Sequence, residues 1–163
     1  GRYIILRTSW VYAARGKKFA KIMLRLARER DTLNVVNDQI GAPTGAELIA
    51  DVTGHIIRRL LCGRQTQESL SGIYHLAADG YTSWHGYSRR VLQAAEAAGY
   101  ELKVKSDGIG AIPTSAYPTP APRPLNSRLR TGKLKQAFDL HLPRWEQGVD
   151  RMLEEILETG DNQ

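Results

Sequence analysis

Four histidines, one cysteine and seven tyrosines are the side chains of this 163-residue sequence best suited to hold a metal or move a proton. His55, His75, His85 and His141 match no zinc spacing with each other, with carboxylates or with Cys62, so metal catalysis is not expected. A tyrosine serves as a proton donor near neutral pH when a lysine four residues on depresses its pKa. The residues four places beyond the tyrosines are Arg7, Gly16, Ala78, His85, Val91, Val104 and Ala121, and none is lysine. The nearest approach to a dinucleotide-binding glycine turn is Gly108-Ile-Gly110, but its third glycine position holds Pro113 and its surroundings do not favour a helix. It is therefore read as a loop, and no Walker lysine motif occurs.

What remains is chemistry of binding. Arg7-Thr-Ser-Trp-Val-Tyr12 places Trp10 in a polar and aromatic turn, and Asn37-Asp-Gln-Ile-Gly-Ala-Pro-Thr44 combines turn formers with amide, carboxylate and hydroxyl groups. A third stretch, Pro113-Thr-Ser-Ala-Tyr-Pro-Thr-Pro120 with Arg123-Pro-Leu-Asn-Ser127, is proline-rich and offers an arginine fork beside small polar side chains.

The elements that must position these groups follow from periodicity. Tyr3 to Leu6 is a continuous apolar run, as in a parallel strand covered on both faces, and Leu33 to Val36 and Ile73 to Ala77 are further short strands. Phe19, Ile22, Met23 and Leu26 recur at helical spacing. Thr44, with Glu47 three residues on, is expected to cap a second helix whose buried stripe is Leu48, Ile49, Val52, Ile56, Ile57 and Leu60. After a Gln, Gly and Ser linker over 63–71, Thr82 or Ser83 starts a helix through Tyr87, Val91, Leu92 and Ala95 that stops at Gly99. Five prolines between Ile112 and Leu125 forbid a regular helix there. Thr131 to Phe138 and Trp145 to Leu157 are the last helices, the second opened by Pro143 and buried through Val149, Met152, Leu153 and Ile156. Alternation of strand and helix predicts an α/β layer fold with a mostly parallel sheet, because parallel strands need long crossovers.

Composition agrees with one globular domain: 42% of residues are hydrophobic and 25% charged. The net charge of +6 favours anionic partners. Its basic residues fall in scattered pairs (Lys17 and Lys18, Arg58 and Arg59, Arg89 and Arg90), which reads as solvated helix faces rather than a nucleic-acid arm. No uninterrupted apolar run is long enough for a transmembrane helix, and with no charged-then-apolar pattern at Gly1 a signal peptide is not expected. Cys62 has no disulfide partner, so a cytoplasmic setting is expected. Gly1 and Arg2 run straight into Tyr3 without a methionine, and the chain is expected to begin inside a domain.

The three binding segments, in this order and with Gly72-Ile-Tyr-His-Leu76 between the second and third, resemble the C-terminal half of dTDP-4-dehydrorhamnose reductases, members of the extended short-chain dehydrogenase/reductase superfamily. The likeness spans nearly the whole chain. It implies a Rossmann-like fold in which residues 1–163 are the C-terminal, substrate-binding part, with the dinucleotide turn and a catalytic Tyr/Lys pair upstream and absent from this chain. For the whole protein it implies NADPH-dependent reduction of dTDP-4-dehydro-6-deoxy-L-mannose to dTDP-L-rhamnose. This segment alone is expected to be inactive.

Residue by residue, the resemblance implies a sugar contact for Trp10, whose plain alternative is a core tryptophan at a strand end. It implies a nucleotide-sugar loop for Asp38, Gln39, Pro43 and Thr44, which otherwise form a helix-capping loop. Arg123, Asn126 and Ser127 match the family's third substrate-binding segment, where the Arg123 fork suits diphosphate oxygens, a structural salt bridge being its alternative. Lys18 stands where the family commonly has asparagine, weakening the expected cap of the first helix, and Arg130 where Asp or Asn is frequent. The resemblance implies a dTDP-sugar as ligand and allows a homodimer; Mg2+ is compatible with it but has no mark in this sequence. A non-catalytic alternative comes from a relative with the same loop motifs, the regulatory subunit of methionine adenosyltransferase. A weaker alternative, nucleic-acid binding, rests on charge alone.

Overall fold

The computed structural model describes residues 3–15, 19–62 and 70–158. Strand β1 (Ile4–Arg7) leads through Trp10 into the short β2 (Val11–Tyr12), and helix α1 (Phe19–Glu29) follows. Then come β3 (Asn34–Val36), β4 (Ile40–Gly41), β5 (Thr44–Gly45) and the long helix α2 (Ala46–Cys62). Strand β6 (Gly72–His75), β7 (Thr82–Ser83) and α3 (Trp84–Ala97) precede β8 (Gly110–Ile112) and a single 3-10 turn at Thr114–Ala116. Helices α4 (Gly132–Phe138) and α5 (Trp145–Glu158) close the described chain.

Three pairings are parallel, β1 with β6, β2 with β5 and β3 with β8, while β4 and β7 run antiparallel. The α/β class and the mostly parallel pairing thus agree with the sequence. Two apolar clusters hold the layers. One joins α1, α3 and α5 through Met23, Ala27, Val91, Leu92, Val149 and Leu153. The other joins α2, β6 and α4 through Val52, Ile56, Tyr74, Leu76, Leu134 and Phe138, with the buried Leu70 added from the described end of the linker. Linker residues 63–69 and Lys17 and Lys18 lie outside the described residues.

Several expectations need correction. Strand β1 is not covered on both faces: Ile4 and Leu6 pack on the second cluster, but Ile5 and its partner Ile73 are 46% and 39% exposed. Ile22 on α1 and Ile57 on α2 face outward, because small residues (Ala20, Ala27) and Leu24 turn the buried stripe of α1, and only Val52 and Ile56 of α2 are fully enclosed. Thr44 does not act as the expected cap. It sits in β5, two residues before the helix, where its hydroxyl donates to the Ala42 carbonyl (3.0 Å) and accepts the Ala78 N–H (3.3 Å). The segment after Gly108, read as loop, supplies β8, whose Gly110 lies so tightly against Asn34 that any β-carbon would collide with it.

The helix predicted from Thr82 or Ser83 is α3, and Ser83 is its cap: the Ser83 hydroxyl accepts the Gly86 N–H at 3.0 Å. Gly99, at φ 80°, takes the left-handed position just past its end. Arg90 on this helix grips Asp150 on α5 through two hydrogen bonds, fixing the two helices. Among the described residues no helix is long and apolar enough to cross a membrane.

Candidate functional site

Trp10 occupies a backbone position that ordinary residues avoid, with φ at 52°. A left-handed conformation at a bulky residue costs about 1–3 kcal/mol and persists only where the surroundings over-determine it. Three contacts do so. The Trp10 carbonyl accepts the Thr44 N–H (3.1 Å), its ring stacks on Trp84 with centroids 3.9 Å apart and planes 14° apart, and Gly41 lies against the indole. A β-carbon at position 41 would come within 2.5 Å of the Trp10 ring, so glycine is required by close approach. The indole N–H of Trp10 finds no acceptor among the described residues.

The second segment wraps round this tryptophan. Asn37 donates its N–H to Ile112 (2.9 Å), and its side-chain oxygen accepts the Ser83 hydroxyl (2.7 Å). Asp38 receives both the N–H and the hydroxyl of Thr114, and these bonds hold its carboxyl below its ordinary range. The Gln39 amide donates to the same Thr114 hydroxyl (3.2 Å). Ile40 closes the loop on the third segment, donating to the Leu125 carbonyl and accepting from the Ser127 N–H, each at 2.8 Å. The Ser9 hydroxyl donates to the Ser127 carbonyl (3.2 Å), which brings the first segment to the third.

Six of the eight sequence-predicted site residues therefore belong to one hydrogen-bonded neighbourhood, Trp10, Asp38, Gln39, Thr44, Asn126 and Ser127, and Pro43 lies within the loop they hold. Their exposures differ. Pro43 and Thr44 are fully buried, so here they shape the loop from beneath and leave contact to others. Asp38 is exposed yet committed to Thr114. Arg123 is exposed and makes no ion pair among the described residues, so the structural salt bridge weighed for it is not formed.

Sequence reasoning missed Trp84, Arg128 and Tyr81, and gave Ser83 only as a helix start. The side-chain oxygen of Asn126 accepts both the N–H and the Nε of Arg128 (3.1 and 3.0 Å), and the Arg128 guanidinium lies 5.0 Å from the centre of the exposed Tyr81 ring. An aromatic residue directly after a serine cap was the signal available for Trp84. Nothing in spacing pairs residue 84 with residue 10.

A cavity of about 290 Å³ lies on the far side of Thr44, between β2, the start of α2 and α5, with Gly45 and Ala78 in its wall. Tyr12, Glu47, Asp51, Arg144, Arg151 and Glu155 are among its lining residues, and none of the sequence-predicted site residues is. Burial above all, then the charges of Glu47 and Asp150, pushes the Tyr12 hydroxyl pKa up, and burial does the same to Tyr74 and Tyr87. Among the described residues no three His, Cys, Asp or Glu side chains are grouped to hold a metal ion, so Mg2+ is assigned no ligands. His55 and His85 instead hydrogen-bond to the Phe138 and Ile109 carbonyls (3.0 and 3.1 Å).

Comparison with known proteins adds the following. The family model described as RmlD substrate binding domain matches residues 1–158. The chain is 55% identical over 158 residues to the dTDP-4-dehydrorhamnose reductase of Salmonella typhimurium, covering 97% of this chain and 51% of that protein. The reductase of the same name from Escherichia coli is 53% identical over 159 residues, again with 51% of its length covered. Among solved structures, dTDP-4-dehydrorhamnose reductase from Bacillus anthracis in complex with NADP superposes with a TM-score of 0.77 at 30% identity, over 95% of this chain and 49% of that one. The chain thus spans about half the length of the relatives it matches, and its fold is that of the Rossmann-like extended short-chain dehydrogenase/reductases.

Proposed function

The chain belongs to the family of RmlD substrate binding domains, and from that premise we propose that residues 1–163 form the nucleotide-sugar pocket of an NADPH-dependent dTDP-4-dehydrorhamnose reductase. The whole protein would reduce the 4-keto group of dTDP-4-dehydro-6-deoxy-L-mannose, giving dTDP-L-rhamnose. One observation supports this most: three segments far apart in sequence meet around Trp10, whose indole N–H has no acceptor among the described residues. A half-exposed aromatic ring beside unused donors is the chemistry that receives a sugar.

In this reading Trp10 packs against the sugar with the part of its ring that Trp84 leaves open and donates its N–H to a sugar oxygen. Gln39, Asn126 and Ser127 line the loop side, and Arg123 meets the diphosphate as a free guanidinium fork. Asp38 holds the loop to Thr114, and Pro43 and Thr44 set its shape from below.

NADPH, when bound, supplies the hydride for the ketone carbon. No dinucleotide-binding glycine pattern occurs in this sequence, so no residue here is assigned to that cofactor. Nor is the proton donor placed here. Tyr12, Tyr74 and Tyr87 hold their protons more tightly than usual, the opposite of what proton transfer needs. Both functions are assigned to an N-terminal part of the protein, and this segment alone to binding without turnover.

The test is NADPH oxidation by the full-length protein supplied with the keto-sugar, beside calorimetry with dTDP-rhamnose. Turnover in the wild type, with sugar affinity reduced in Trp10→Ala, is the expected result; a full-length protein that never oxidises NADPH with this substrate refutes the reading. The non-catalytic alternative of the methionine adenosyltransferase regulatory type finds no support in the relatives above.

A further inference from the structure

Trp84 stands where the first and second segments are joined. Strand β7 ends at Ser83, which pairs with Ile40 while its neighbour Thr82 pairs with Gly41. The Ser83 hydroxyl donates to Asn37 and caps α3, so the start of this helix is bonded directly to the loop that carries Asp38 and Gln39. The next residue, Trp84, lays its ring on Trp10 at 3.9 Å. Behind it Phe19 packs at 4.6 Å and Tyr87, one turn further along α3, at 6.3 Å, so the Trp84 ring is itself held.

We propose that Trp84 is the positioning residue for Trp10: its ring fixes the plane of the Trp10 indole, and through Ser83 it ties that plane to the 37–44 loop. The proposal rests on the reading of Trp10 as the sugar contact. The strained backbone at Trp10 explains why such a residue is needed. A side chain carried at φ 52° lacks the restraint of a regular strand, and its hydrogen-bonded carbonyl fixes the backbone only. Rotation about the side-chain bonds must be stopped by packing, and Gly41 with Trp84 supplies it. A flat aromatic partner restricts tilt in a way that an aliphatic side chain of similar bulk does not. Trp84 thereby contributes to sugar binding without touching the sugar.

The full-length reductase is the protein to use, with Trp84→Phe and Trp84→Leu compared against wild type. Near-ultraviolet circular dichroism reads the stacked indoles without substrate, and steady-state kinetics separates KM for the keto-sugar from KM for NADPH. Wild type is expected to show a paired-indole signal that both variants lose. Trp84→Leu is expected to raise KM for the keto-sugar roughly three- to tenfold, with KM for NADPH unchanged, and Trp84→Phe, which keeps a flat ring, to stay within about twofold of wild type. Equal sugar KM in the Leu variant and wild type, or an equal rise in sugar KM in the Phe and Leu variants, overturns the proposal, as does a wild type without the paired-indole signal. A wild type that shows the signal but never reduces the keto-sugar takes the proposal down with the reductase reading, and the intact signal then locates the failure in function rather than in the pairing.

Discussion

Asp38 accepts the backbone N–H and the hydroxyl of Thr114 across 76 positions of sequence, the hydroxyl at 2.6 Å. This bond joins the loop after β3 to the 3-10 turn after β8, two strands that already lie side by side. The loop and the proline-rich segment are thus a single surface.

That contact should be lost in acid. The Thr114 hydroxyl first, then its N–H, holds the Asp38 carboxyl below its ordinary value of 3.8. A carboxyl with a depressed folded pKa contributes while ionised, so its contribution is complete above the unfolded value and disappears as pH falls through the folded one. Hydrogen exchange at the Thr114 amide should therefore be slow, relative to the unfolded chain, at pH 5 to 7 (about one unit or more above the aspartate range). Protection should fall only in more acid solution. Asp38→Asn should remove this pH dependence.

Gly41→Ala should damage the site with the fold largely kept. The added methyl meets the Trp10 ring, and overpacking of this kind costs about 1–3 kcal/mol. Urea denaturation should read that loss, and the tryptophan signal in near-ultraviolet circular dichroism should change at the same time. An unchanged spectrum would mean that Gly41 does not restrain the indole.

Leu92→Ala should be the most destabilising of these changes. Leu92 is 0% exposed on α3, within the cluster joining α1, α3 and α5. Truncating an enclosed leucine costs about 2–5 kcal/mol because a cavity remains. Denaturant midpoints should show it with little change in slope.

Breaking the Arg90 clamp should cost less. Its two hydrogen bonds to Asp150 are well formed, the first at 2.6 Å, but the side chains are 35% and 44% exposed and solvent screens them. Arg90→Ala should lose about 1 kcal/mol, a fall in Tm of roughly 2–4 °C. A double-mutant cycle with Asp150→Ala isolates the pair from the packing of Arg90 over Trp145.

Much of the molecule is legible in local pattern. The apolar rhythm of Val149, Met152, Leu153 and Ile156 marks α5, and the serine before Trp84 marks the cap of α3. Prolines 113 to 124 exclude an α-helix between β8 and α4, leaving only the 3-10 turn at Thr114–Ala116. Each of these signals acts within a few residues, through propensity, side-chain periodicity or a missing N–H. The order of three polar segments was also present in the chain, and through their resemblance it pointed to a family. Which face of a helix is enclosed was less clear, as Ile22 and Ile57 show, because the same spacing serves more than one stripe when small residues can also be buried.

The site itself was decided by tertiary structure. That Trp10 stacks on Trp84, that Thr44 turns its hydroxyl inward, and that Asp38 spends its carboxylate on Thr114 all depend on pairings between strands distant in sequence, parallel for β2 with β5 and β3 with β8 and antiparallel for β4 with β7. A parallel pair is set by what the crossover between its strands can bury, a sum over the whole core that no short window of residues contains. The sequence alone therefore named the segments and the chemistry they carry. Packing decided which of their side chains remain free to use it.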